Sequence, residues 1–129
     1  MAMDYKVTHA AAPRTQSWFD ELDDAIAYAE SEAFKWVQEG SICSPEYRVV
    51  YNPSGSVQRY IRSCDMDHML NEHNQPVRVI AKAPDGSHAL VKNGEEYEIG
   101  YILDRKRFEM KVAYGSLAAA RRAWPYPGA

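Results

Sequence analysis

The clearest pattern in the chain is a set of apolar residues with helical spacing over residues 20–39. The stripe consists of Leu22, Ala25, Ile26, Ala29, Ala33, Trp36 and Val37. Positions three or four residues apart share one face of an α-helix. Asp20 is a good N-cap residue, and Gly40 ends the pattern. The spacing predicts an amphipathic helix with Trp36 in the core.

Residues 46–62 predict a β-hairpin around the turn sequence Asn52-Pro53-Ser54-Gly55. With a three-residue loop, paired residues have numbers that sum to 108. One face of the hairpin then carries Tyr47, Val49, Tyr51, Val57 and Ile61, with Arg59 as the exception. The opposite face carries Glu46, Arg48, Gln58, Tyr60 and Arg62.

Residues 77–114 predict a β-meander. The turn sequences Pro84-Asp85-Gly86 and Asn93-Gly94 separate its first three strands. The last strand alternates cleanly, which places four side chains on one face: Phe108, Met110, Val112 and Tyr114.

The remaining segments are short. Residues 1–19 form a β-prone start, residues 116–124 a short helix, and residues 125–129 a tail. The elements together predict a single domain over residues 1–129 with about six strands. Antiparallel hairpins with helices packed on one face define an α+β fold.

Composition supports this class and limits the function. With 129 residues, 46% hydrophobic and 26% charged, the chain matches an average globular domain rather than a disordered or coiled-coil protein. The net charge of −3 argues against a protein that binds polyanions over its whole surface. No apolar run reaches the roughly 18 residues that span a bilayer, and residues 1–12 lack a signal-peptide pattern. We therefore expect no membrane contact and a cytoplasmic location.

The two cysteines are too few for a disulfide scaffold and are compatible with reduced thiols. In the hairpin register above, Cys43 and Cys64 fall on opposite faces, which argues against a disulfide between them. A two-residue loop would reverse this conclusion, because it brings residue 43 opposite residue 64.

A metal site can be assembled from the residue types Cys43, Cys64, His68 and His73. Their spacing does not match a standard zinc finger, since 20 residues separate the cysteines. The sequence leaves open whether the four side chains converge. It predicts no metal and no other cofactor.

A catalytic acid/base set can be assembled over residues 65–73, from Asp65, Asp67, His68, Glu72 and His73. No nucleophile or oxyanion site accompanies these residues. A small enzyme or metal site in this segment is therefore the third hypothesis, and a non-enzymatic protein is favoured.

A basic turn at Arg105, Lys106 and Arg107 is the main electrostatic feature of the last segment, which has a net charge of +4 from residue 101 onward. Clustered cations bind phosphates, and neighbouring rings can stack on bases. The neighbouring rings are Tyr101, Phe108 and Tyr114. A nucleic-acid-binding module is therefore the alternative function.

A protein partner is the leading hypothesis. The start of the predicted helix is acidic, at Asp20, Glu21, Asp23 and Asp24, and can meet a basic protein surface. Tyr60 and Trp124 are the aromatic residues expected to be exposed in an interface. We expect a non-enzymatic inhibitor or adaptor that uses these residues and the basic turn.

Compact single domains without catalytic motifs are also typical of anti-defence inhibitors encoded by mobile elements, although this is an analogy at the level of fold. The sequence does not identify the partner. Self-association through an exposed sheet face is equally open.

Overall fold

The computed structural model describes residues 3–104 and 106–126. The chain forms two compact units, Met1–Asp65 and Met66–Ala129. Unit 1 contains six basic and ten acidic residues, whereas unit 2 contains nine basic and eight acidic residues. The single domain expected over residues 1–129 stays a prediction.

The predicted α+β class is confirmed. The described residues form two helices and nine strands, where about six strands were expected. A helix lies in the N-terminal half of the chain and a short helix near its C-terminus, as predicted. Among the described residues, no helix is both long and apolar enough to cross a bilayer.

Unit 1 is a four-stranded antiparallel sheet with one helix. Its elements are β1 (Tyr5–His9), β2 (Ala12–Phe19), α1 (Leu22–Gln38), β3 (Tyr47–Tyr51) and β4 (Ser56–Ile61). The strand order is β2-β1-β3-β4.

Helix α1 buries a narrow stripe that consists of Ala25, Ala29, Ala33, Phe34 and Val37. Three alanines in this stripe let the helix backbone approach its neighbours closely. Trp36, predicted in the core, is only half-buried, and its Nε1 donates a hydrogen bond to the Tyr47 hydroxyl at 3.1 Å. The predicted N-cap is also wrong, because Glu21 rather than Asp20 occupies that position.

The β3–β4 hairpin contains a β-bulge that moves one predicted side chain to the other face. Tyr47 pairs with Ile61 and Val49 with Arg59, as predicted, but Val50 then pairs with Val57. Gln58 is the extra residue, so Val57 shares the face of Val50 rather than that of Val49. The turn consequently has four residues, 52–55, instead of three.

A disulfide joins Cys43 to Cys64, so the expectation of two reduced thiols is wrong. Both cysteines lie beyond the ends of β3 and β4, where strand register no longer fixes the direction of a side chain. Their Cα atoms are 4.7 Å apart, within the range that disulfides require. Next to the bridge, the Ser44 backbone N–H donates to Ser63 Oγ at 2.7 Å, and the Ser63 N–H donates to Ser44 Oγ at 2.9 Å.

Unit 2 is a closed five-stranded barrel with one helix. Its elements are β5 (His68–Leu70), β6 (Pro76–Lys82), β7 (His88–Asn93), β8 (Glu96–Asp104), β9 (Arg107–Tyr114) and α2 (Leu117–Ala123). The predicted meander is present as β6 to β9. The short strand β5 closes the barrel by pairing with β9 in parallel at Leu70 and Arg107.

Two apolar clusters stabilise unit 2. The first consists of Met69, Val77, Ala89, Val91 and Phe108. The second consists of Ala81, Ala83, Leu90, Ala120 and Trp124, and includes residues of β6, β7 and α2.

Directly paired residues share a face, so pairing with β8 assigns each β9 side chain to one side of the β8–β9 ladder.

The expected common face of Phe108, Met110, Val112 and Tyr114 is wrong. Gly100 pairs with Met110, but Ile99 pairs with Val112, which leaves Lys111 as an extra residue. Phe108 is therefore buried in the first cluster, while Val112 lies on the opposite, outer face with 41% of its surface exposed.

Candidate partner-binding surface

The acidic residues at the start of α1 are all exposed. Asp20, Glu21, Asp23 and Asp24 lie at or just before the first helical turn. Negative charge is favourable there, because the helix dipole and free N–H groups make this end positive. The four carboxylates thus have a structural role, and their contact with a partner stays a prediction.

Tyr60 is exposed as expected, with 59% of its surface accessible. It pairs with Arg48, whose guanidinium lies 5.9 Å from the centre of the ring. A similar pair lies nearby in the sheet, where Lys6 Nζ is 5.9 Å from the Trp18 ring. Sequence analysis missed Trp18, although the alternation of β2 could have indicated its outward direction.

Trp124 is buried, so the expectation of an exposed interface residue is wrong. Only 9% of its surface is accessible, and it belongs to the second cluster of unit 2. Trp124 is the C-cap of α2, where the backbone becomes extended, and its ring contacts the Tyr126 ring at 4.9 Å. Its Nε1 atom is buried without a hydrogen-bond partner among the described residues.

The basic turn is described only in part, because Arg105 lies outside the described residues. Lys106 and Arg107 are exposed. Arg107 Nη1 donates to Asn74 Oδ1 at 2.9 Å, and the Lys106 backbone N–H donates to Asp104 Oδ1 at 3.0 Å. Part of the Arg107 side chain is therefore engaged within unit 2.

The rings expected beside the basic turn are not all available for stacking. Tyr101 is exposed, but Phe108 is buried in the first cluster of unit 2 and Tyr114 packs against the second cluster. Only one of the three rings can therefore stack on a base, which weakens the nucleic-acid alternative.

Residues 65–73 have structural roles that need no catalysis. Asp67 forms an ion pair with Lys82 at 2.7 Å, and Glu72 Oε1 accepts the Met110 backbone N–H at 3.0 Å. Asp65 belongs to unit 1, whereas the other candidate residues belong to unit 2. Burial, together with the nearby charge of Lys106, lowers the pKa of His68.

Within residues 3–104 and 106–126, no group of three or more His, Cys, Asp or Glu side chains is arranged so that it could hold a metal ion. Cys43 and Cys64 are joined to each other and so do not provide thiolate ligands. His68 lies in β5, and His73 is exposed in the turn that follows it.

Strands β8 and β9 carry exposed side chains, of which the sequence indicated Tyr101, as a ring beside the basic turn, but not Leu103. We call the exposed residues Tyr101, Leu103, Lys111 and Val112 the β8–β9 surface. Leu103 is 60% exposed and Tyr101 is 40% exposed. Lys111 Nζ lies 5.7 Å from the centre of the Tyr101 ring.

A cavity of about 180 Å³ opens beside this surface. Its lining residues are His88, Ile99, Lys111, Val112, Tyr114, Ala123, Pro125 and Tyr126. We call it the His88 cavity. It is continuous with the β8–β9 surface, because Lys111 and Val112 belong to both and the His88 ring contacts the Tyr101 ring at 4.9 Å.

A hydrogen-bond chain orients His88 at the cavity. Asp85 Oδ1 accepts the Ser87 hydroxyl at 2.6 Å, and Ser87 Oγ lies 2.7 Å from His88 Nδ1. The side-chain and backbone hydrogen bonds from Ser87 lower the pKa of Asp85 and keep it ionised. Because Ser87 donates its only proton to Asp85, Ser87 Oγ accepts the Nδ1 proton of His88. Serine lies between the acid and the histidine, which differs from a Ser-His-Asp triad.

Unit 1 contains a smaller, more polar cavity of about 80 Å³. His9, Ser17, Tyr28 and Glu32 are among its lining residues. His9 Nδ1 is buried there without a partner among the described residues. The hydrogen bond from Lys35 is the main cause that lowers the pKa of Glu32, so the cavity has an ionised wall. Its polarity and size fit a few water molecules.

Comparison with known proteins gives no match to a family model, to a curated protein or to a solved structure.

Proposed function

We propose that this is a non-enzymatic protein that binds another protein, as an inhibitor or adaptor. The observation that carries the proposal is the β8–β9 surface. Leu103 and Tyr101 are exposed there, Lys111 Nζ lies 5.7 Å from the centre of the Tyr101 ring, and the exposed Lys106 follows in the turn after β8. An apolar and aromatic centre with a polar rim is the usual composition of a protein–protein interface.

The exposed carboxylates on unit 1 are the second contact that we propose. Unit 1 has a net charge of −4, and Asp20, Glu21, Asp23 and Asp24 account for much of it. Exposed charges at an interface mainly accelerate association and select partners, and they contribute less to affinity. We therefore expect the acidic residues to affect the association rate more than the dissociation rate.

Nucleic-acid binding remains the alternative proposal. Its support is the exposed pair Lys106 and Arg107, together with the exposed ring of Tyr101 on the preceding strand β8. Binding of this kind weakens steeply as salt rises, because phosphate contacts release counterions. A small enzyme or metal site at residues 65–73 has less support, since Asp67 and Glu72 are held by structural contacts.

A cytoplasmic location stays a proposal. Its support is that the sequence has no apolar run that spans a bilayer and no signal-peptide pattern in residues 1–12. The disulfide between Cys43 and Cys64 argues against it, because disulfides persist mainly in oxidising compartments.

The experiment that tests the function is affinity capture from a lysate of the native host, with and without nuclease. Three baits are compared: wild type, Leu103→Glu and Ile42→Glu. Ile42 is 95% exposed in unit 1, so its variant is a matched control for placing a charge on an exposed apolar site. We expect a stoichiometric protein that survives nuclease, binds wild type and Ile42→Glu, and is lost from Leu103→Glu.

Other outcomes would change the proposed interface or the proposed class of partner. Equal capture by all three baits would exclude the β8–β9 surface as the interface. Loss of all bound material after nuclease would favour nucleic acid, with Lys106 and Arg107 as the first residues to change. If the captured protein is the chain itself, sedimentation of wild type and Leu103→Glu would measure the self-association directly.

A further inference from the structure

We propose that the His88 cavity binds a carboxylate attached to an apolar group, and that this group is the C-terminal residue of the partner protein. The inference rests on the proposed function, since it assigns a partner chemistry to the same side of unit 2. It goes further by naming the part of the partner that is recognised.

The apolar walls of the cavity fit one side chain. Ile99, Val112, Tyr114 and Pro125 supply these walls. The volume of about 180 Å³ is below the roughly 300–1,000 Å³ of sites that enclose a whole drug-sized molecule. A single large apolar residue matches the available space.

The polar groups of the cavity favour an anion. The Lys111 ammonium lies at the wall, and among the described residues no carboxylate lies within 4.0 Å of its Nζ. The Tyr126 hydroxyl is 3.1 Å from His88 Nδ1. Because that nitrogen carries the proton donated to Ser87 Oγ, it has no lone pair to accept the Tyr126 proton, which stays available to a ligand. A carboxylate can accept hydrogen bonds from both groups, and those from a cation are the stronger kind.

Two acidic residues, Asp85 near His88 and Glu109 on β9, do not remove the preference for an anion. Asp85 is ionised, but it accepts hydrogen bonds from Ser87. Glu109 is exposed and pairs with Tyr101 across β8 and β9. Lys111 therefore remains available to a ligand.

The C-terminus of a protein chain can supply both the apolar side chain and the carboxylate that the cavity favours. In a C-terminal residue, the carboxylate and the side chain share one Cα atom, so an apolar last residue offers both within the size of the cavity. An internal Asp or Glu has no comparable apolar body. The residues before the terminus would then lie on Tyr101, whose ring contacts the His88 ring, and on Leu103, two residues further along β8.

The test uses the full chain and three probes, with binding measured by calorimetry or by NMR shifts. N-acetylphenylalanine carries the free carboxylate, N-acetylphenylalaninamide lacks it, and a tetrapeptide Ala-Ala-Leu-Phe adds preceding residues. We expect the free acid to bind at least tenfold more tightly than the amide. We expect the tetrapeptide to bind more tightly than the single residue.

Substitutions identify which side chains of the protein contact each probe. Lys111→Met and Tyr126→Phe should each weaken the acid about fivefold to tenfold and leave the weak binding of the amide unchanged. Arg122→Gln is the matched control, because Arg122 is an exposed cation on α2 that does not line the cavity. Leu103→Glu should remove the advantage of the tetrapeptide but not the binding of the single residue.

Each alternative outcome would contradict a particular part of the proposal. Equal binding of acid and amide excludes a carboxylate site. Equal binding of tetrapeptide and single residue indicates a site for a free small acid and excludes the partner's terminus. If Leu103→Glu loses the captured protein while no probe binds the wild type, the proposed function stands and this inference fails.

Discussion

The backbone of Gly100 lies so close to the Glu109 carbonyl oxygen that no Cβ atom fits between them. An added Cβ would also come within 2.8 Å of Phe108 Cζ. Both neighbours are rigid, since one is β9 backbone and the other is a fully buried ring. The bulge that turns Val112 outward therefore depends on glycine at this position.

Gly100→Ala should destabilise unit 2 by about 1–3 kcal/mol, the usual cost of adding volume to a packed site. The measurement is urea unfolding followed by NMR signals from each unit. Gly115→Ala is the control, because a Cβ on Gly115 meets no atom within 4 Å. A Gly100→Ala midpoint equal to that of the control would contradict the close approach.

The elements with local signals could be predicted from the sequence. Helix α1 follows from apolar spacing, and the β6–β9 meander follows from two turn sequences. The bulges at Gln58 and Lys111 were missed, because one extra residue leaves the hydrophobic pattern almost unchanged while it reverses the faces beyond it. Barrel closure was missed as well, since it depends on β5, which has only three residues.

The candidate site was predicted less well, for a related reason. Tyr60 could be recognised as exposed from strand alternation alone. Trp124 could not be placed, because its burial depends on how α2 contacts the barrel. The His88 cavity combines residues of β7, β8, β9 and the segment after α2, and no spacing in the sequence indicates that convergence.

Trp124 and Tyr60 should respond to truncation in opposite ways. Trp124→Ala should lower the stability of unit 2 by about 3–5 kcal/mol, because it removes a buried ring. Tyr60→Ala should change the stability of unit 1 by about 0.5 kcal/mol or less, because the ring is mostly exposed. Urea unfolding of both variants tests this, and a near-neutral Trp124→Ala would contradict the burial described for the C-cap of α2.

Reduction of the Cys43–Cys64 disulfide should destabilise unit 1. The bridge closes a loop with a sequence separation of 21 residues, for which the chain-entropy account gives about 3 kcal/mol. The measurement compares urea unfolding with and without a reductant. The double variant Cys43→Ser, Cys64→Ser is the control and should not respond to the reductant. Two free thiols in the native, unreduced protein would disprove the bridge.

The buried serine pair beside that bridge gives a separate prediction. Ser63→Ala removes the hydroxyl that accepts the Ser44 N–H and leaves this buried donor without its partner. We expect a loss of about 1–3 kcal/mol in unit 1. Ser54→Ala, in the exposed hairpin turn, is the matched control and should have little effect. Similar unfolding midpoints for the two variants would show that water replaces the lost acceptor.

Glu98 should make the stability of unit 2 depend on pH. Its side chain is buried, and burial raises its pKa above the ordinary value of 4.5, although the hydrogen bond from Asn93 opposes this and the charges of Glu96 and Glu72 add to it. Below pH 4.5 both the folded and unfolded states hold the proton, so burial of the carboxyl has no ionisation cost. As pH rises, the unfolded state loses its proton first, and the folded state becomes relatively less stable until the raised pKa has been passed.

Glu98→Gln should therefore stabilise unit 2 at neutral pH, and the gain should disappear below pH 4.5. The amide oxygen of glutamine can still accept the Asn93 hydrogen bond, which is 3.1 Å long in the wild type. Urea unfolding at the two pH values gives the result, with Glu95→Gln as the control because Glu95 is exposed and is not among the charges that raise the pKa of Glu98. A gain that is the same at both pH values would arise from packing rather than from ionisation, and would contradict the raised pKa.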